Sequence, residues 1–212
     1  MGYGMKRAKG YFIVFEGGEG SGKSTQIERA ARYLKQKGFQ VLVLREPGGT
    51  RISEAIRNLI LNRSFREMTP ETELLLYLAS RAQVIREKIV PALRQGKVVI
   101  CDRFEDSTLA YQGFGRNISL RVIETVSRRL VRGSLIPDLT VLLDISPRHG
   151  IQRGGRIDRM ERQSLSFHQR VRRGYLVLAR RQPKRYAVID ARQDQNTVAR
   201  KIKERLNRVF GV

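Results

Sequence analysis

Lys23 and Ser24 are the first residues whose type and spacing suggest chemistry. They end the run Gly17-Gly18-Glu19-Gly20-Ser21-Gly22-Lys23-Ser24. This fits G-x-x-x-x-G-K-[ST], a spacing that cradles phosphates when a strand precedes it and a helix follows. Triphosphate oxygens need several backbone N–H donors converging on them. Glycine permits that close approach and the left-handed φ angles it demands. The helix that follows offers free N–H groups and the positive end of its dipole. Lys23 can then reach the β- and γ-phosphates, and the Ser24 hydroxyl can ligate Mg²⁺.

The flanking elements are the ones this loop requires. Tyr11-Phe12-Ile13-Val14-Phe15 is an apolar run of β-formers and reads as a buried strand, while Ile27, Ala30, Ala31 and Leu34 recur at helical spacing behind the loop. Further strands are predicted at Phe39–Leu44, Lys97–Cys101, Leu139–Asp144 and Ala187–Asp190. Helices are predicted at Ile52–Leu61 and from Thr69-Pro70 to about Leu93. Others follow through Leu120, Ile123, Val126 and Leu130 (inward), through Phe167, Val171, Tyr175 and Leu178, and through Val198, Ile202, Leu206 and Val209. Strands alternating with helices predict a three-layer α/β sandwich of the P-loop NTPase kind. Its five-stranded parallel sheet carries helices on both faces.

Functional loops of such sheets lie at the carboxyl ends of the strands. Arg45 opens the turn-rich Arg45-Glu46-Pro47-Gly48-Gly49-Thr50 and is a candidate anion ligand. Asp102 directly follows a strand and can hold Mg²⁺ through water, and Arg103 beside it can clamp a second phosphate. Tyr77 and Arg81 are four apart and share a helix face, where Tyr77 taken alone reads as a core aromatic. Gln152 to Arg159 mixes glycines with Arg153, Arg156 and Arg159, and reads as a mobile loop able to close over phosphate. A hydrolase positions one water. A nucleotide kinase must hold a second phosphate in line and cover both, and two arginine-bearing loops with a lid suit that task better.

The 212 residues are most simply one domain. Residues 1–10 read as a basic, disordered tail without the apolar stretch of a signal peptide, and 11–212 as a P-loop kinase domain with its lid around 150–161. No apolar run is long enough to span a membrane, and the single cysteine, Cys101, suits a reducing cytoplasm. The net charge of +22 guarantees attraction to nucleotides and permits polyanion binding. The excess is concentrated late, with 18 Lys+Arg against 5 Asp+Glu from Ser146 onward. No zinc knuckle, RRM-like aromatic motif or helix-turn-helix pattern accompanies it, so a nucleic-acid partner is not required.

Over Tyr11 to about Val209 the chain resembles the thymidylate kinases of bacterial type. The motifs that carry the resemblance are FEGGEGSGKST (Phe15–Thr25), REPGGT (Arg45–Thr50), LYLASRAQ (Leu76–Gln83), DRFEDSTLAYQG (Asp102–Gly113) and GRIDRME (Gly155–Glu161). The resemblance implies Mg²⁺-dependent transfer of the ATP γ-phosphoryl to dTMP, commonly by a homodimer formed through helices near the second and third strands. Gly17, Gly18, Glu19, Gly20, Ser21, Gly22, Lys23, Ser24 and Thr25 would bind ATP, and Ser24 and Asp102 would serve the metal. Arg45 and Arg103 would hold the acceptor phosphate, Tyr77 would stack on thymine, and Arg81 would meet the base edge. Ser107, Tyr111 and Gln112 would complete the base and sugar pocket, with Tyr111 crowding a 2′-hydroxyl. Glu19 would hold the acceptor's 3′-hydroxyl or a metal-bound water. Glu19, Lys23, Arg103, Arg153 and Arg156 form the implied catalytic set. Some relatives carry an arginine beside the acidic loop residue; here Gly20 follows Glu19, so that charge must come from elsewhere, and the lid arginines Arg153, Arg156 and Arg159 are the available source. Two alternatives stay open: a nucleoside monophosphate kinase of relaxed base choice, and a basic P-loop ATPase that binds nucleic acid.

Overall fold

A computed structural model describes residues 10–154 and 158–211. The β-forming runs make one sheet from β1 (Tyr11–Gly17), β2 (Val41–Arg45), β3 (Val98–Asp102), β4 (Leu139–Asp144) and β5 (Tyr186–Asp190). Its order is β2-β3-β1-β4-β5 and every pairing is parallel. Asp102 sits opposite both Phe15 and Arg45 in register, so the ends of the three strands nearest the P-loop meet at one edge.

Alternation along β1 divides the core. Ile13 and Phe15 face α1 (Lys23–Gln36) and α9 (Gln195–Phe210), packing on Ile27, Leu34, Val198, Ile202 and Leu206. Phe12 and Val14 face the other way, into a cluster with Leu74 and Leu78 of α3 (Pro70–Val84) and Phe167, Val171, Tyr175 and Leu178 of α8 (Leu165–Arg181). The central strands β1, β3 and β4 are therefore buried on both faces, as their near-continuous hydrophobicity requires, while the edge strands β2 and β5 leave Val43 and Val188 exposed. The predicted helix start at Thr69-Pro70 is a built N-cap, with the Thr69 hydroxyl accepting from the Thr72 amide. Thr50 caps α2 (Arg51–Leu61) in the same way, through Ser53.

The helical run that begins at Pro70 continues through a π-helical turn, Ile85–Ile89, into α4 (Val90–Arg94). After β3 come α5 (Glu105–Thr108), a π-helical stretch over Leu109–Gly115, and α6 (Leu120–Val126), which passes into another π turn, Ser127–Val131. This last turn corrects one expectation. Leu130 is 68% exposed, while Ser127 and Val131 are buried. The i→i+5 bond from Arg132 to Ser127 inserts one residue into the turn, so Val131 replaces Leu130 on the inner face.

The loop expected over Gln152 to Arg159 is helical at its start. Pro147–Gly154 forms α7, so Gln152 and Arg153 are helical rather than in a loop. Arg156 lies outside the described residues, as does the basic tail before Gly10.

Candidate active site

The P-loop leaves β1 at Gly17 and enters α1 at Lys23. Gly22 is the N-cap, in the left-handed region at φ 83°, and no side chain caps the helix. The first N–H groups of α1 are thus free for an anion. Gly20, at φ 65°, is a glycine for a second reason as well. A Cβ there would strike the Gly150 carbonyl, and one on Gly150 would strike the Glu19 carbonyl. The paired glycines let α7 lie backbone-to-backbone against the loop, which explains why no arginine follows Glu19.

A cavity of about 460 Å³ opens over this loop. Its wall runs from Glu19–Thr25 to Arg45, Glu46 and Pro47, then Tyr77 and Arg81, then Asp102, Arg103, Ser107, Thr108, Tyr111 and Gln112, and on to Arg153, Asp158, Met160 and Glu161. A groove of about 420 Å³ continues from Gly20–Gly22 past Arg153 to the β5–α9 loop, Ala191–Gln195. The strand-end residues and the loop singled out in the sequence therefore converge on one space.

Each group has a definite setting. The Lys23 ammonium donates to the Gly17 and Gly18 carbonyls, at 3.1 Å each. Burial pushes its pKa down, as does Arg103, while Glu19, Asp102 and Glu16 push it back up. Arg103 is a non-glycine residue at φ 71°, a left-handed conformation that needs support. That support is dense: its amide bonds to the Phe15 carbonyl, and its guanidinium reaches the Gly17 carbonyl, Ser107, Tyr175 and Glu19. Glu19 accepts from Arg103 at 2.8 Å and from the Tyr111 hydroxyl at 2.7 Å. Burial alone would raise its pKa, but Arg103, Lys23 and Tyr111 bring it down to about 2. The acidic residue in the phosphate loop is thus compensated and ionised.

Beneath Arg103 lies Glu16, which sequence reasoning missed. It is fully buried and accepts from the Phe104 and Ser107 amides, the Ser107 hydroxyl and the Tyr175 hydroxyl. Burial, with nearby Asp106, pushes its pKa up to about 7 against the pull of these donors. Ser107 and Tyr175 hold Arg103, and Glu16 holds both. The signal was a charged residue at the β1 position that alternates with Phe12 and Val14.

The acceptor end has its own network. Arg81 is buried and directs three N–H groups to Glu46, Thr108 and the Phe104 carbonyl, which leaves its remaining N–H groups for a ligand. Gln112 donates to Glu73 at 2.8 Å. Among the described residues the Tyr77 hydroxyl has no hydrogen-bond partner, and burial raises its pKa. Arg45 stands at the mouth, paired with Glu54 at 3.1 Å. Arg57, also missed, lines the same mouth and donates to the Pro47 carbonyl. It lies between Ser53 and Ile60 on the inner stripe of α2, and an arginine on that stripe was the available signal.

The lid arginines separate. Arg153 donates to the Ala191 carbonyl at 3.0 Å and lines both the cavity and the groove. Arg159 turns inward to Glu73 at 2.7 Å, the Ile60 carbonyl and Met68, so it anchors the lid's end and is not free for phosphate.

Ser24 and Asp102 fit a metal–nucleotide complex. Both line the cavity, and Asp102 Oδ1 is buried without a hydrogen-bond partner. Among the described residues no cluster of three or more His, Cys, Asp or Glu side chains could hold a metal ion. No helix among the described residues is long and apolar enough to cross a membrane.

The thymidylate kinase family model matches residues 15–202. A thymidylate kinase of Pelotomaculum thermopropionicum is 50% identical over 195 residues, covering 90% of this chain and 89% of its own length. One from Geobacter sulfurreducens is 49% identical, covering 94% and 98%. The crystal structure of thymidylate kinase from Ehrlichia chaffeensis superposes with a TM-score of 0.77 at 34% identity, covering 93% of this chain and 98% of that one. With half its residues shared with such enzymes along nearly its whole length, and a cavity that joins a phosphate loop to a second, arginine-lined subsite, the chain belongs to the thymidylate kinase family.

Proposed function

We propose that the chain is an Mg²⁺-dependent kinase that transfers the γ-phosphoryl group of ATP to dTMP, giving dTDP and ADP. The observation that carries this reading is the single cavity with two ends. At one end are the P-loop amides and Lys23; at the other are Tyr77, Arg81 and Gln112, with Arg103 between them. The groove toward Ala191–Gln195 offers room for the adenosine of ATP.

The acceptor phosphate oxygen is itself the nucleophile, so the protein needs no strong general base. Its work is to align the two phosphates and to place positive charge where negative charge develops. Lys23 and the free N–H groups of α1 serve the donor phosphates. Arg103 and Arg45 serve the acceptor, and Glu19 fixes Arg103 while offering a carboxylate to the acceptor's 3′-hydroxyl. Mg²⁺, when bound with ATP through Ser24 and by way of water through Asp102, would neutralise the phosphate charge.

Base choice tests the reading. Arg81 and Gln112 suit the carbonyl-and-imide edge of thymine. Cytosine presents a mismatched edge, which can cost ~10⁴-fold when buried polar groups are left unpaired. The thymine methyl fills an apolar slot worth only about 10–200-fold. Tyr111, held by Glu19, crowds the position of a 2′-hydroxyl. The expected order in kcat/KM is dTMP, then dUMP, with dCMP and UMP far behind. Equal rates for dCMP or UMP would leave a kinase of relaxed base choice. ATP hydrolysis stimulated by nucleic acid and indifferent to dTMP would leave an ATPase.

The working form we propose is a cytoplasmic homodimer. Exposed apolar side chains sit on helices that pack side by side: Ile52 and Leu59 on α2, Leu75 on α3, and Leu130 in the π turn after α6. Such a patch on neighbouring elements is what an interface covers. Sedimentation at micromolar concentration should give twice the chain mass, and Leu75→Glu should shift it toward the monomer. A monomer in the parent protein would remove the proposal.

A further inference from the structure

We propose that Glu73 is a specificity-positioning residue: it locks the Gln112 amide in the one orientation that reads a thymine edge and rejects a cytosine edge. The inference rests on the reading that Gln112 faces the base.

The geometry begins with Glu73 in the first turn of α3, fully buried although charged. Oε1 accepts from Gln112 Nε2 at 2.8 Å and from Arg116 Nε at 3.2 Å. Oε2 accepts from Arg116 at 3.0 Å and from Arg159 at 2.7 Å. Burial would raise the Glu73 pKa, but the bonds and charges of Arg116, Gln112 and Arg159 lower it on balance. Glu73 is therefore a carboxylate, and a carboxylate can only accept.

An amide can ordinarily turn over, exchanging its oxygen and nitrogen at almost no cost in shape. Here the exchange is blocked. A flipped Gln112 would press Oε1 against the Glu73 carboxylate and abandon a buried charge-assisted bond. Nε2 must face Glu73, and Oε1 is left for the cavity that Gln112 lines. Among the described residues Oε1 has no hydrogen-bond partner.

An oxygen fixed in that place accepts from the N3–H of thymine or uracil. Cytosine has an unprotonated N3 there, so two acceptors would meet. Gln112 alone would not discriminate, because a free amide could turn its nitrogen toward cytosine. The selectivity lies in the pair, and Glu73 touches no substrate atom.

The test compares kcat/KM for dTMP, dUMP and dCMP in variants of the full chain. Glu73→Gln can present either an oxygen or a nitrogen to Gln112, which frees the flip. The dTMP-to-dCMP ratio should then fall by about ten-fold or more, part of the mismatch penalty. The dTMP-to-dUMP ratio reads only the methyl slot and should stay within about two-fold. General loosening of the site would lower all three rates and leave both ratios in place. Glu73→Asp keeps a charge for Arg116 and Arg159 but withdraws the carboxylate from Gln112. It should move the first ratio in the same direction and covers the case in which Glu73→Gln does not fold. Arg159→Lys disturbs the same ion network at Oε2 alone, leaving the oxygen that holds Gln112, and should leave both ratios unchanged. A folded Glu73 variant with the parent's dTMP-to-dCMP ratio overturns the lock. A Gln112→Ala variant with that same ratio overturns instead the placement of Gln112 at the base.

Discussion

Lys23→Ala is expected to lower kcat by ~10²–10³ or more, the range seen when one preorganised transition-state donor is removed. The ammonium lies under the P-loop on the Gly17 and Gly18 carbonyls, beside the free N–H groups of α1. Bound phosphate competes with those carbonyls for the charge. As the bridging oxygen between the donor phosphates takes up charge, Lys23 is placed to stabilise it. The fold should survive, because the contacts that seat α1 come from Ile27, Ala30, Ala31 and Leu34. Thermal denaturation should therefore show little change beside a collapse in turnover. A folded variant that keeps near-parent kcat would show that this loop does not serve phosphoryl transfer.

Legibility in the sequence followed the range of the interactions concerned. The sheet was readable because its strands are short apolar runs of β-formers, and the central three are buried on both faces. The P-loop was readable because its geometry is local: a strand end, glycines and a helix start. What escaped was set by contacts distant in sequence. Arg159 looked like a phosphate ligand from its setting among lid arginines, but Glu73, far away on α3, turns it inward. Gln152 and Arg153 looked like loop from the glycines and arginines around them, but they close the helix Pro147–Gly154. Gly150 is what permits the approach of α7 to Gly20. Leu130 satisfied helical spacing and still faces outward, since a π turn shifts the register after Val126. Glu16 and Tyr175 are far apart in the chain, and only the fold joins them under Arg103.

That separation among the arginines decides where the transition-state charge comes from. Gly20 cannot supply it, and its contact with Gly150 holds α7 against the loop, which places Arg153 on the wall of the P-loop cavity. Among the described residues Arg153 is tied only through Nη1 to the Ala191 carbonyl, where the P-loop cavity meets the groove. Arg159 is buried and turned inward to Glu73, Ile60 and Met68. Arg153→Ala is therefore expected to lower kcat by up to ~10³–10⁵, the scale of arginine fingers in P-loop enzymes, with a much smaller rise in KM for dTMP. The split matters, because charge that acts only in the transition state changes kcat and kcat/KM together and leaves acceptor binding intact. Arg159→Ala should behave differently. It leaves part of a buried carboxylate uncompensated, so its effect should fall on thermal stability and on KM for dTMP. Steady-state kinetics on both variants, with ATP and Mg²⁺ saturating, separates the roles. Normal kcat in Arg153→Ala and in a double variant with Arg156→Ala would mean that the lid only covers the site, leaving Lys23 and Arg103 as the charges on the transferring group.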